Sequence, residues 1–177
     1  MKKRIIIISI ILVISLVITL ILINKNKILS IDNQDYLTEI VYDSSGDMNG
    51  SVYNVSLNIK DQILTVKEKD YYDHPFTIKE YSVSKEDIDT LKKNISINKY
   101  PEWEKYKMDE SLFAYDAASK DITFEYDKNE LEWYRVNLNL KLTSEQKKRL
   151  NDFIKFFLSL AKEENLIKEY IIEDTEY

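Results

Sequence analysis

The chain has 177 residues, enough for one domain of ordinary size and a short additional segment. It contains no cysteine, which excludes structural disulfides, thiolate zinc sites, cysteine nucleophiles and a lipid-modified cysteine. With Lys2, Lys3 and Arg4 set aside, 22 basic side chains face 31 acidic ones, and a body carrying −9 repels phosphate backbones, so no nucleic-acid partner is expected.

From Ile5 to Ile23 the sequence runs nineteen residues without a charge, and only Ser9, Ser15 and Thr19 are polar. As a helix this spans roughly 28 Å, close to the hydrocarbon thickness of a bilayer. A cleavable signal peptide has a shorter apolar stretch followed by small residues at the cleavage site, and here Asn24, Lys25, Asn26 and Lys27 follow instead. A buried core helix does not suit so uniformly apolar a segment in a domain of this size. Lys2, Lys3, Arg4 and the terminal amine outweigh Lys25 and Lys27, so the N-terminus is expected inside and the remainder outside. This reading divides the chain into a membrane anchor at 1–23, a linker at 24–34 and an extracytoplasmic α+β domain at 35–177.

Period-two alternation begins after the linker. The first strand is expected over Tyr36–Tyr42, and the second places Tyr53, Val55, Leu57 and Ile59 on one face with Asn54, Ser56, Asn58 and Lys60 on the other. The hairpin loop between them runs from Asp43 to Gly50 and closes on an Asn-Gly pair. Ile63–Lys69 continues the meander, and Phe76–Val83 follows Pro75 as a fourth strand. A helix starts at Ser84, with Asp87 placed to reach back, and presents Ile88, Leu91 and Ile95 at helical spacing before Pro101. The segment 99–119 is irregular and rich in aromatics. Ile122, Phe124 and Tyr126, a turn at 127–130, and Tyr134, Val136, Leu138, Leu140 and Leu142 form a hairpin. Thr143 with Gln146 spells a capping box, and Leu150, Phe153, Ile154, Phe157, Leu158 and Ala161 make an apolar stripe. Beyond Leu166 the acidic tail either frays or docks through Tyr170, Ile171 and Ile172. The expected fold is an antiparallel sheet of about six strands with two main helices packed on one face.

No catalytic set, metal site or cofactor-binding motif emerges. Asp43, Ser45, Asp47 and Asn49 offer oxygens at alternate positions, but an EF-hand wants Gly where Met48 stands and Glu where Asn54 stands, which leaves a hairpin turn as the better account. His74 is the single imidazole, and its neighbour Asp73 is too close in sequence to form a dyad with it. The binding candidates are Ser45, Asp47 and Asn49 in the loop, and Trp103, Tyr115 and Asp116 in the aromatic segment, where rings either stack on a sugar or peptide or close the core.

Three short pieces carry a resemblance: residues 44–50 (SSGDMNG) before a strand, Pro101-Glu102-Trp103, and residues 112–117 (LFAYDA) before a hairpin. Over residues 36–160 the chain resembles small secreted or membrane-anchored proteins of Gram-positive bacteria whose function is uncharacterised. It departs from them at the first piece, where their glycine run is longer. The resemblance implies an address in the cell envelope and supplies no activity. The expected role is a non-catalytic binding or accessory domain, tethered through Ile5 to Ile23, with an envelope protein or glycan as partner. Two alternatives stand beside it: an envelope hydrolase working through a carboxylate pair, and an immunity or inhibitor protein that covers a basic partner with an acidic surface.

Overall fold

In the computed structural model the described residues are 34–45, 50–71, 73–107, 119–128 and 130–173. The expected anchor at 5–23 and all but the last residue of the linker at 24–34 lie outside them, and among the described residues no helix is long and apolar enough to cross a membrane.

The described residues form seven strands. These are β1 (Leu37–Ser45), β2 (Val52–Asn58), β3 (Ile63–Lys69), β4 (Phe76–Ser82), β5 (Ser119–Asp127), β6 (Leu131–Asn137) and β7 (Leu166–Ile172). They form one antiparallel sheet in the order β6-β5-β1-β2-β3-β4-β7. The α+β class is as expected, but the sheet has seven strands rather than about six. The additional strand is β7, which pairs with the outer edge of β4. Its sequence Leu-Ile-Lys-Glu-Tyr-Ile-Ile does not alternate, because an edge strand leaves both faces partly in water.

Two further boundaries move. A bulge between Leu37 and Glu39 shifts the β1–β5 register, so Leu37 turns inward although strict alternation would set it beside Glu39 on the other face. The expected strand over Tyr134–Leu142 ends instead at Asn137, whose side-chain carbonyl accepts the Asn139 N–H at 2.7 Å and turns the chain away from the ladder.

Helix α1 (Lys85–Asn98) begins where the Ser84 hydroxyl oxygen accepts the Asp87 N–H at 3.1 Å. It ends where Lys99 adopts a left-handed conformation, φ 54°, and donates its N–H to the Ile95 carbonyl at 2.7 Å. A 3-10 turn, Tyr100–Lys105, follows, with Pro101 at its start. Helix α2 (Ser144–Leu158) carries the complete reciprocal box between Thr143 and Gln146.

The core lies between one face of the sheet and both helices. Cross-strand partners share a face, so Ile40, Leu57, Leu64 and Tyr81 form one inward row, and Tyr42, Val55, Val66 and Ile122 belong to the next. Ile88, Leu91 and Ile95 from α1 and Leu150, Phe153, Ile154 and Phe157 from α2 join these residues in a single cluster. Each such side chain contributes about 2 kcal/mol by leaving water. Tyr100 is fully buried at its centre, stacked on Phe124 at 6.2 Å and tilted against Phe153 at 5.0 Å. Its hydroxyl donates to the Arg149 carbonyl at 3.0 Å, which ties the 3-10 turn to α2. Burial pushes the Tyr100 phenol up to about 12, against a smaller lowering from Arg149.

Candidate functional site

Because the strands alternate and the helices cover one face, the residues between the core positions point to the opposite, outer face. Register then decides which of them meet. Asn137, Asp121, Asp43, Asn54 and Lys67 are successive partners on β6, β5, β1, β2 and β3. Two carboxylates therefore stand directly opposite one another, an arrangement that costs stability unless donors surround it. Donors are present. Asp43 accepts from the Ser45 hydroxyl at 2.6 Å and from the Asn54 amide at 3.1 Å. Asp121 accepts from the Arg135 guanidinium at 2.8 Å and from the Asn137 amide at 2.7 Å. Only 2% of Asp121 is exposed, and these bonds offset the loss of water around its side chain.

A second carboxylate pair repeats the arrangement four residues along the two strands. Glu39 on β1 faces Glu125 on β5, with Val41 and Thr123 between the two pairs. Burial raises the Glu39 pKa above its ordinary value of 4.5, the Glu125 charge raises it further, and a hydrogen bond with Ser56 opposes both. Glu125 also accepts the indole N–H of Trp133 at 3.1 Å. That bond holds an indole that is 60% exposed beside the acidic pair, with exposed Leu131 two residues away on the same strand face.

The outer face is electrically divided. On β6, β5 and β1 its charged positions are Glu39, Asp43, Asp121, Glu125 and Asp127 against Arg135. On β2 the outward residues Val52, Asn54, Ser56 and Asn58 carry no charge. Beyond it, on β3, β4 and β7, stand Lys67, Lys69 and Lys168 against Glu80. Lys67 and Lys69 lie 3.9 and 4.4 Å from the centre of the Phe76 ring.

The sequence-predicted residues fall in several places. Ser45 belongs to the acidic constellation as a donor to Asp43. Asp47, Asn49, Tyr115 and Asp116 lie outside the described residues. The strand ends nearest to them in sequence, Ser45 and Ser119, are cross-strand partners. Trp103 is 6% exposed and packs edge-on against Tyr100 at 5.0 Å, inside the core cluster. His74 is exposed, and Tyr71 meets it edge-on at 4.9 Å. Among the described residues no three His, Asp or Glu side chains are grouped so as to hold a metal ion.

Reading the sequence alone missed Glu39, Asp121, Glu125, Trp133 and Arg135. Each occupies an outward position of an alternating strand, which was legible, but their mutual contacts come from pairing between segments distant in the chain. Comparison with family models, with characterised proteins and with solved structures finds no match for this chain.

Proposed function

We propose that the protein is a non-catalytic binding domain of the cell envelope, tethered by the apolar segment Ile5 to Ile23 and held on the extracytoplasmic side. Its partner on this reading is a protein with a basic surface, received by the outer face of β6, β5 and β1. The observation that carries the proposal is Trp133, an exposed indole anchored by Glu125 in a field of five carboxylates and one arginine. Tryptophans of this kind dominate the energetics of protein interfaces, while the surrounding charge steers encounter and selects the sign of the partner. The apolar segment and the resemblance to secreted and anchored proteins of Gram-positive bacteria support the address.

The test has two arms. External protease added to intact protoplasts should digest the domain, and a protected domain would sink the address. The partner should be captured from detergent-solubilised envelopes in a salt-sensitive manner, at least tenfold less by Trp133→Ala, and should carry a basic surface. Capture that is indifferent to salt and to Trp133 would sink the binding surface.

A hydrolase reading has one observation in its favour, the Glu39–Glu125 pair with the Glu39 pKa raised above its ordinary value. It predicts a glycan-cleaving activity that Glu39→Gln and Glu125→Gln each abolish. Cleavage of envelope glycans that survives both substitutions would remove it.

A further inference from the structure

Strand β7 ends the sheet, and no described strand lies along its second edge. That edge is unusually apolar: Ile167, Ile171 and Ile172 are 57%, 66% and 46% exposed. Edge strands are ordinarily protected from pairing by outward charge, proline or brevity. Here the strand is seven residues long and has no proline. Its two charges are already occupied. Lys168 sits 4.2 Å from the centre of the Tyr170 ring, and Glu169 lies 3.7 Å from Lys79 on β4.

The pattern of the strand is symmetric about Glu169. Ile167 mirrors Ile171 and Lys168 mirrors Tyr170, while the register shift opposite Tyr81 turns Leu166 toward the core and leaves it out of the match. Two antiparallel copies related by a twofold axis through Glu169 set each residue against its mirror image, so apolar meets apolar and each lysine meets a tyrosine ring. A register centred on Lys168 or on Tyr170 sets isoleucines against charges. The two Glu169 carboxylates face each other at the axis, and each brings a Lys79 ammonium 3.7 Å away, shared with Glu68, that offsets part of their repulsion.

We propose that β7 is a homodimerisation edge, pairing antiparallel with β7 of a second copy in the register centred on Glu169 and joining two sheets into one. Such an interface is small and belongs to the transient class.

The absence of cysteine from the whole chain makes the register directly testable. Residues opposite one another on antiparallel strands have Cα atoms about 4.5–5.5 Å apart, within the range a disulfide needs, whereas neighbours off the axis are farther. The full-length protein in detergent micelles, carrying Glu169→Cys, should convert mainly to a disulfide-linked dimer on mild oxidation. Lys168→Cys should do so at least tenfold less. Adding Ile171→Lys, a change at an exposed site that leaves the circular dichroism spectrum unaltered, should reduce Glu169→Cys cross-linking at least tenfold. Absence of cross-linking at 169, equal cross-linking at 168 and 169, or indifference to Ile171→Lys would overturn the proposal.

Discussion

Glu39, Ile40 and Val41 are consecutive in β1, yet they belong to two different chemical environments. Ile40 joins an unbroken apolar layer in which its neighbours on β2, β5 and β3 are Leu57, Phe124 and Leu64, and no donor or acceptor is needed. On the other side of the same backbone, Glu39 faces Glu125 and Asp43 faces Asp121, and stability there depends on finding a partner for each charge. The inner face tolerates no loss of volume. The outer face tolerates changes of shape but not the removal of a compensating group.

Four substitutions test this contrast, and their expected effects diminish from inside to outside. Phe124→Ala removes a fully buried ring packed between Tyr100 and Phe153 and should destabilise by about 3–5 kcal/mol in urea unfolding. Asp121→Ala removes the acceptor of a charged and a neutral hydrogen bond, while the largely exposed Arg135 returns to water. The loss should be about 1–2 kcal/mol, and a denaturation midpoint equal to that of the unaltered protein would show that the constellation contributes nothing to folding.

Glu39→Gln has the opposite sign. The folded-state pKa of Glu39 is raised, so the folded protein holds this proton more tightly than the unfolded chain does. The stabilisation that goes with protonation is fully present below the ordinary value of 4.5 and is lost as pH rises through the raised folded value. At pH 7 glutamine should therefore stabilise, by less than about 1 kcal/mol given the screening at a half-exposed site. Stability curves of the two proteins should converge as the pH falls to 4.5. A gain that persists at pH 4 would assign the effect to something other than ionisation. Trp133→Ala, finally, should change stability by no more than about 0.5 kcal/mol, since its ring is mostly in water; a larger loss would mean that the indole serves the fold.

The inner face was the part most legible in the sequence. Alternation at Tyr53, Val55 and Leu57, the caps at Ser84 and Thr143, and the stripe from Leu150 to Phe157 each specify an element locally, and each is found where expected. What escaped reading depends on contacts made across the chain. β7 lacks alternation because it borders water on both sides. Leu37 faces inward because of a bulge that only the β1–β5 register reveals. Trp133 and Glu125 meet across a hairpin whose outward positions look like any solvated strand. Candidate binding residues chosen for their loop setting, such as Ser45, proved informative only where a strand fixed them.

The pairing of β4 with β7 also has a consequence in time. Synthesis proceeds from the N-terminus, so the edge of β4 waits while both helices and the β5–β6 hairpin emerge, and β7 is the last of the described strands to reach it. Until then Ile78 and Tyr81 border a row of unpaired amides, the state most open to capture by a chaperone or by a neighbouring nascent chain. A stall on the ribosome just short of Leu166 would prolong that vulnerable interval, with six of the seven described strands already synthesised.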